Sequence, residues 1–285
     1  MDINNKHIAI TGPTAGIGRS AALTLAGKGA VLTLLCRNLE KGAALSREIV
    51  AAGGAEPSVV QLDMASLASV RAAGETCLSQ GRPIDILLNN AGLMNTSRKT
   101  TVDGYEETLA VNHFAPFLLT GLLLPALMEA PSARIVNVAS AAHAFVRSMH
   151  FDDMQAEKNY KAFREYGRSK LANILFTRTL AQRLEGQPIT VNALHPGAVA
   201  TSLGQQNDGF LKNIAPAIMK IFFRSPDKGA ETSVYLCTSD DVADTSGEYF
   251  ANCKRVRPRP WARDDAAAAK LWAYTEDCTG FTYPI

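Results

Sequence analysis

Residues 7–18 read His7-Ile8-Ala9-Ile10-Thr11-Gly12-Pro13-Thr14-Ala15-Gly16-Ile17-Gly18. A short β-branched run meets a glycine-rich turn, and a helical pattern continues to Lys28. Strand, glycine turn and helix in that order form the phosphate-binding opening of a dinucleotide fold. Glycines let the backbone approach a pyrophosphate closely, and free amides at the helix N-terminus meet its negative charge. The spacing is G-x-x-x-G-x-G rather than G-x-G-x-x-G, and Pro13 removes one amide donor and fixes its own φ. Gly12, Thr14, Gly16, Ile17 and Gly18 are therefore candidate phosphate contacts. A glycine turn with no ligand is the competing reading.

Working outward, residues 30–36 (AVLTLLC) form an apolar run suited to a strand buried on both faces, as in a parallel sheet. It ends at Cys36-Arg37-Asn38. An acid here would bind the ribose 2′-hydroxyl of NAD, whereas an arginine accommodates the 2′-phosphate of NADP. The chain has the arginine, which favours NADP(H) over NAD(H) unless Arg37 is only a solvated side chain ahead of a helix capped by Asn38. The pattern then repeats: a helix over 39–52, a strand over 57–63, a helix over 66–79 and a strand over 84–90. Alternating units with short loops predict an α/β fold, one doubly wound (Rossmann) parallel sheet of about seven strands with helices on both faces. Ligands of such sheets bind at the carboxyl ends of the strands. Asp63, followed by Met64, and Asn89-Asn90-Ala91-Gly92 fall there, although a helix cap and a plain turn would use the same residues.

A helical pattern over 103–128 contains Asn112, an amide midway along an apolar helix that requires partners, and His113, read as a packed histidine rather than a metal ligand. The strand over 133–140 delivers Ser140 to a strand end, and 25 residues separate it from Tyr166, more than a tight connection needs. Tyr166 and Lys170 lie four apart on a helix expected to run to Leu184, so they share a face. A nearby cation would draw a phenol down from its usual pKa of about 10 and make it a tuned acid. The strand that follows is stopped by Pro196-Gly197, with Thr201 at the rim. Residues 203–224 carry an apolar set that reads either as a helical lid over a lipophilic substrate or as a packed helix or subunit interface. A helix over 227–239, a strand over 247–253 and a helix near 264–275 close what reads as one catalytic domain, residues 1–285.

Composition limits the alternatives. With 29 basic and 27 acidic residues the net charge is +2, which gives no bulk attraction for nucleic acid or anionic membrane. Five widely spaced cysteines without C-x-x-C read as reduced thiols, and the N-terminal residues show no secretory or membrane leader. The apolar run 114–128 looks too short to span a bilayer and holds Pro116 and Pro125. A cytoplasmic protein without a membrane anchor is expected.

In this order and spacing, TGPTAGIG, NNAG, LAVNHF, Ser140, YGRSK and HPG resemble the short-chain dehydrogenase/reductase family over residues 6–280. LLCRNLEKG, LAVNHFAPFLLT, RIVNVASAAH and SKLANILFTRTLAQRL are most similar to its retinol-dehydrogenase-like branch. The resemblance implies an oxidoreductase interconverting a carbonyl and an alcohol on a small molecule. It makes Tyr166 the general acid in reduction and the base in oxidation. Lys170 would hold the nicotinamide ribose and lower the Tyr166 pKa, Ser140 would hold the carbonyl oxygen, and Asn112 would support a water-linked proton path. The glycine turn would line the pyrophosphate, Arg37 the adenosine phosphate, Asp63 and Met64 the adenine, and Asn90, Ala91 and Gly92 the adenosine ribose region. Thr201, with the backbone near Pro196, Gly197 and Val199, would hold the carboxamide. A homodimer or homotetramer would be typical. Pro13 and Ala139 depart from the usual family residues, and a dinucleotide-binding redox sensor without turnover is the rival reading.

Overall fold

The computed structural model describes residues 2–197 and 225–285. Eight strands form one sheet: β1 (His7–Thr11), β2 (Val31–Cys36), β3 (Ser58–Gln61), β4 (Ile86–Asn89), β5 (Ala133–Val138), β6 (Ile189–His195), β7 (Tyr249–Ala251) and β8 (Lys254–Arg255). Their order is β3-β2-β1-β4-β5-β6-β7-β8. All pairs are parallel except β7 with β8. The helices are α1 (Gly16–Gly27), α2 (Leu39–Ala51), α3 (Leu67–Leu78), α4 (Glu107–Met128), α5 (Ala162–Arg183), α6 (Pro226–Thr238) and α7 (Asp265–Thr279).

Alternation along the strands sorts the core into two layers. Ala9, Leu87 and Ile135 point to the side covered by α3, α4 and α5. Ile8, Ile10, Leu88 and Val136 point to the side covered by α1, α2 and α6. Chain order reverses between β1 and β4, so the loops leaving those two strands diverge and leave a crevice at the carboxyl edge.

Three expectations change in detail. The strand expected over 247–253 stops at Ala251, because Asn252 and Cys253 adopt positive φ (51° and 58°), a tight hairpin turn that adds the short antiparallel β8 and makes eight strands rather than seven. The helix expected from 103 begins at Glu107, where the Glu106 carboxylate accepts hydrogen bonds from the Thr108 and Leu109 amides. Joined to the run 114–128, it makes a 22-residue helix that is long and apolar enough to cross a membrane, contrary to the length argument from sequence. Its faces are nevertheless buried inside the protein, as suits a core helix.

Candidate active site

Gly12 and Gly16 take positive φ (64° and 52°), which bends the chain sharply from β1 into α1. A Cβ on Gly18 would stand 2.2 Å from the Gly12 carbonyl oxygen, so only glycine lets the helix close on the turn. Asn90 braces the same turn: its side-chain amide donates to the carbonyls of Thr11 (2.9 Å) and Gly12 (3.1 Å), while the Thr11 hydroxyl accepts from the backbone amides of Asn90 and Ala91. The first turn of α1 has no side-chain cap and no acid. By contrast, Asn38, Ser66, Ser225 and Asp264 cap α2, α3, α6 and α7. The α1 amides are thus left for an external anion. Pro13 is buried and does not line the cleft, so the donor it lacks is not missed there.

A cleft of about 320 Å³ runs along the carboxyl edge. It brings together Gly12, Thr14, Gly16, Ile17, Gly18, Arg37, Asp63, Met64, Asn90, Ala91, Gly92, Tyr166, Lys170 and Pro196, all anticipated from sequence. Asn89 instead turns inward, donating to Thr120 and to Asn137 at 2.9 Å each. Val199, Thr201 and the segment 203–224 lie outside the described residues. Gly197 follows the cleft wall with its amide donating to His195 Nδ1 at 3.1 Å.

The two ends of the cleft differ. At one, Arg37 and Lys41 are exposed and have no ion pair among the described residues. Lys41 was not singled out from sequence. At the other end Lys170 is 3% exposed, and its ammonium donates to the Val138 carbonyl at 3.1 Å. Burial pulls its pKa down to about 8. The ammonium sits 5.6 Å from the centre of the Tyr166 ring. Tyr166 is partly exposed by area yet closely packed around its hydroxyl. Burial pushes its pKa above the ordinary value, and a hydrogen bond with the Ser140 side chain pulls the other way. Desolvation is the larger influence on the phenol here, and the group that opposes it is Ser140.

Asn112 lies in a π-turn spanning Ala110–Phe114 within α4, a local widening that recurs at functional sites. Its Oδ1 accepts from the Leu93 amide at 2.8 Å, and its Nδ2 donates to the Leu93 carbonyl and the Ser169 hydroxyl, each at 2.9 Å. Both amide hydrogens are therefore engaged by protein atoms, and one Oδ1 lone pair remains. Gly92 makes room for this end, since a Cβ there would lie 3.1 Å from Lys170 Nζ and 3.2 Å from Asn112 Oδ1. His113 is packed, as expected, with Nε2 on the Thr275 hydroxyl at 2.9 Å and burial taking its pKa to about 3.

Two supporting residues escaped the sequence reading. Arg168, 2% exposed, pairs with buried Glu165 and donates to the carbonyls of Asp153 and Met154, tying the long interval after Ser140 to the Tyr166 helix. His143 Nδ1 lies 2.8 Å from the Ser140 carbonyl and fixes the turn that carries Ser140. His143 was visible only as part of RIVNVASAAH, and nothing in its spacing marks the contact.

A crevice with an uncapped helix N-terminus at a switch point is the mark of a dinucleotide-binding α/β protein. The short chain dehydrogenase family matches residues 6–210. Mouse retinol dehydrogenase 14 is 41% identical, the match covering 98% of this chain and 87% of that protein, and human retinol dehydrogenase 13 is 38% identical over 99% and 87%. A crystal structure of a protein from Mycobacterium paratuberculosis superposes with a TM-score of 0.80 at 30% identity, covering 100% of this chain and 98% of that one. Another, described as an NAD(P) dependent gluconate 5-dehydrogenase from Beutenbergia cavernae and holding NADP, gives 0.70 at 26% identity, covering 88% and 96%. The chain belongs to the short-chain dehydrogenase/reductase family, in its retinol-dehydrogenase-like branch. It is an NAD(P)-dependent oxidoreductase acting on CH–OH groups of a small molecule.

Proposed function

We propose that the enzyme prefers NADP(H) and interconverts a carbonyl and an alcohol on a small lipophilic substrate, with Tyr166 as proton donor in reduction and acceptor in oxidation. The observation that carries this reading is that one cleft holds the glycine turn, the Arg37 and Lys41 pair, and Tyr166 with Lys170. The bound dinucleotide supplies or accepts the hydride. Gly12, Gly16, Ile17 and Gly18 present backbone to its pyrophosphate, with Thr14 alongside. Arg37 and Lys41 meet the 2′-phosphate, Asp63 and Met64 the adenine, and Asn90, Ala91 and Gly92 the ribose region. Pro196, Gly197, Val199 and Thr201 serve the carboxamide.

In the reductive direction Ser140 and Tyr166 hold the substrate oxygen by hydrogen bonds, and the Tyr166 hydroxyl proton moves to that oxygen as negative charge builds there. Lys170 holds the nicotinamide ribose. Its charge then stabilises the phenolate that forms. Asn112 holds the Leu93 strand-end loop and the Ser169 hydroxyl in register and offers its free lone pair to the proton path. A lipophilic substrate is favoured by Phe145 and Phe163, 75% and 69% exposed, which lie respectively on the turn after Ser140 and one turn ahead of Tyr166. The apolar set in 203–224 would cover it. Five free cysteines favour a reducing, cytoplasmic setting.

A panel of aldehydes and ketones with NADPH consumption as readout tests the reading. Wild-type turnover with loss of activity in Tyr166→Phe, at nearly unchanged NADPH binding, supports it. Turnover surviving in that variant removes the role of Tyr166, and binding without turnover across the panel would make the protein a dinucleotide sensor.

A further inference from the structure

Away from the cofactor cleft, a second cavity of about 420 Å³ lies between α5, the start of β7 and the segment following β8. Four arginines line it, Arg178 from α5 and Arg255, Arg257 and Arg263 from the basic run 254–263, against one carboxylate, Glu248. Arg255 pairs with Glu248 at 2.5 Å, and Arg178 pairs with Asp265 at 3.0 Å. Arg257 and Arg263 have no ion pair among the described residues. Among the described residues the cavity therefore keeps a positive excess after every local pairing is satisfied.

Two of these guanidinium groups, Arg255 and Arg257, are exposed, and those of Arg178 and Arg263 are half-buried. Here the Nε groups of Arg178 and Arg263, two of the lining residues, are buried with no acceptor among the described residues. Buried donors without acceptors are costly, and like charges gathered in a concave wall raise its potential. The excess positive charge suits an anion with several oxygens, met by the outer guanidinium nitrogens. Guanidinium forks match phosphate with paired hydrogen bonds, and Pro258 stiffens the backbone that presents Arg257. We propose that this cavity is a second anion site that binds a phosphate group, separate from the cofactor cleft and lined by Arg178, Arg255, Arg257 and Arg263. The phosphate belongs either to a soluble metabolite or to a phospholipid headgroup.

The test uses the full chain saturated with NADPH, which fills the cofactor cleft, with inorganic phosphate as probe, followed by calorimetry and thermal unfolding against chloride at matched ionic strength. Four proteins are compared: wild type, Arg257→Gln, Arg257→Gln with Arg263→Gln, and Arg37→Ala with Lys41→Ala. Phosphate binds the wild type and the Arg37/Lys41 variant, and binds about tenfold or more weakly once both cavity arginines are replaced. Arg257 is exposed, so its single replacement retains the fold and the NADPH-dependent turnover while weakening phosphate binding. Equal affinity in the cavity variants, or loss of all phosphate binding in the Arg37/Lys41 variant, overturns the proposal. Flotation with phosphatidylcholine vesicles, with and without phosphatidic acid, separates the sources. Arg257-dependent flotation with phosphatidic acid identifies a headgroup, and phosphate binding without flotation identifies a soluble ligand.

Discussion

At the Tyr166 end of the cleft, Lys170 and Asn112 are buried and hydrogen-bonded to Val138, Leu93 and Ser169. At the adenosine end, Arg37 and Lys41 stand in solvent without ion pairs among the described residues. The difference suits the work the proposed function assigns to each end. Moving a proton demands atoms placed within hydrogen-bond reach, so side chains are locked by neighbours and their pKa values move with burial. Attracting a phosphate demands only positive potential near an open surface, which mobile solvated cations supply. The first end should be sensitive to single atoms, and the second to charge and salt.

The sharpest way to break that contrast is to remove one oxygen. Tyr166→Phe should lower kcat for carbonyl reduction by about 10³-fold, within the range for loss of a positioned general acid, while NADPH affinity stays nearly constant. Steady-state kinetics with fluorescence titration of NADPH reads both. If binding fell with turnover, the hydroxyl would be part of the cofactor cradle and the division between the ends would be misplaced.

Next in size is an effect of pH on the protein without cofactor. Lys170 has a folded pKa of about 8 against an ordinary 10.5. Between those values the unfolded chain holds the extra proton, so the contribution of Lys170 to stability rises with pH across that window, by at most about 3 kcal/mol. Below about pH 8 the folded state carries the whole cost of the buried ammonium. The thiols of Cys36, Cys77, Cys237 and Cys278 and the phenol of Tyr166, all raised by burial, act oppositely once their unfolded counterparts ionise from about pH 9 upward, so the Lys170 rise is read as the difference between wild type and Lys170→Met. Urea unfolding from pH 7.5 to 10 checks this, and Lys170→Met should flatten the slope.

Much of this was legible beforehand because it rests on backbone logic. A strand, a glycine turn and a helix at 7–28, then repeated β and α units, place the carboxyl edge and the cleft without any side-chain detail. The π-turn at Asn112 was not legible, since one extra residue in a helical turn leaves the apolar period of α4 intact. Nothing in the sequence marks Arg168 inside YGRSK, because a buried ion pair depends on Glu165 and on carbonyls from the separate segment around Asp153. The two-residue β8 is shorter than any pattern. Lys41 did leave a trace: a cation in the first turn of α2 opposes the helix dipole, a local cost that points to another use.

Asn112 gives the third test. Asn112→Ala would leave the half-buried Leu93 amide and carbonyl without their partner and remove the bond the Ser169 hydroxyl accepts, that hydroxyl still donating to the Tyr166 carbonyl, and should cost roughly 2–4 kcal/mol. At about 2–4 °C per kcal/mol for a chain of this size, calorimetry should show Tm falling by about 5–10 °C. A loss of activity without loss of Tm would assign Asn112 to the proton path alone and remove its scaffold role.

The smallest effects belong to the exposed end, and their form matters more than their size. Arg37→Ala and Lys41→Ala should each cut the preference for NADPH over NADH by about tenfold or less, leaving kcat nearly unchanged, because neither residue touches the reacting atoms. Since both cations are solvated, salt should mimic their removal. Raising ionic strength from about 0.1 M toward 1 M shrinks the Debye length from about 10 Å to 3 Å. KM for NADPH should then climb in the wild type, climb less in the double variant, and stay flat for NADH. A salt dependence shared equally by NADH would mean that the pyrophosphate, not the 2′-phosphate, is what these cations meet, and Arg37 would cease to explain a choice between the two cofactors.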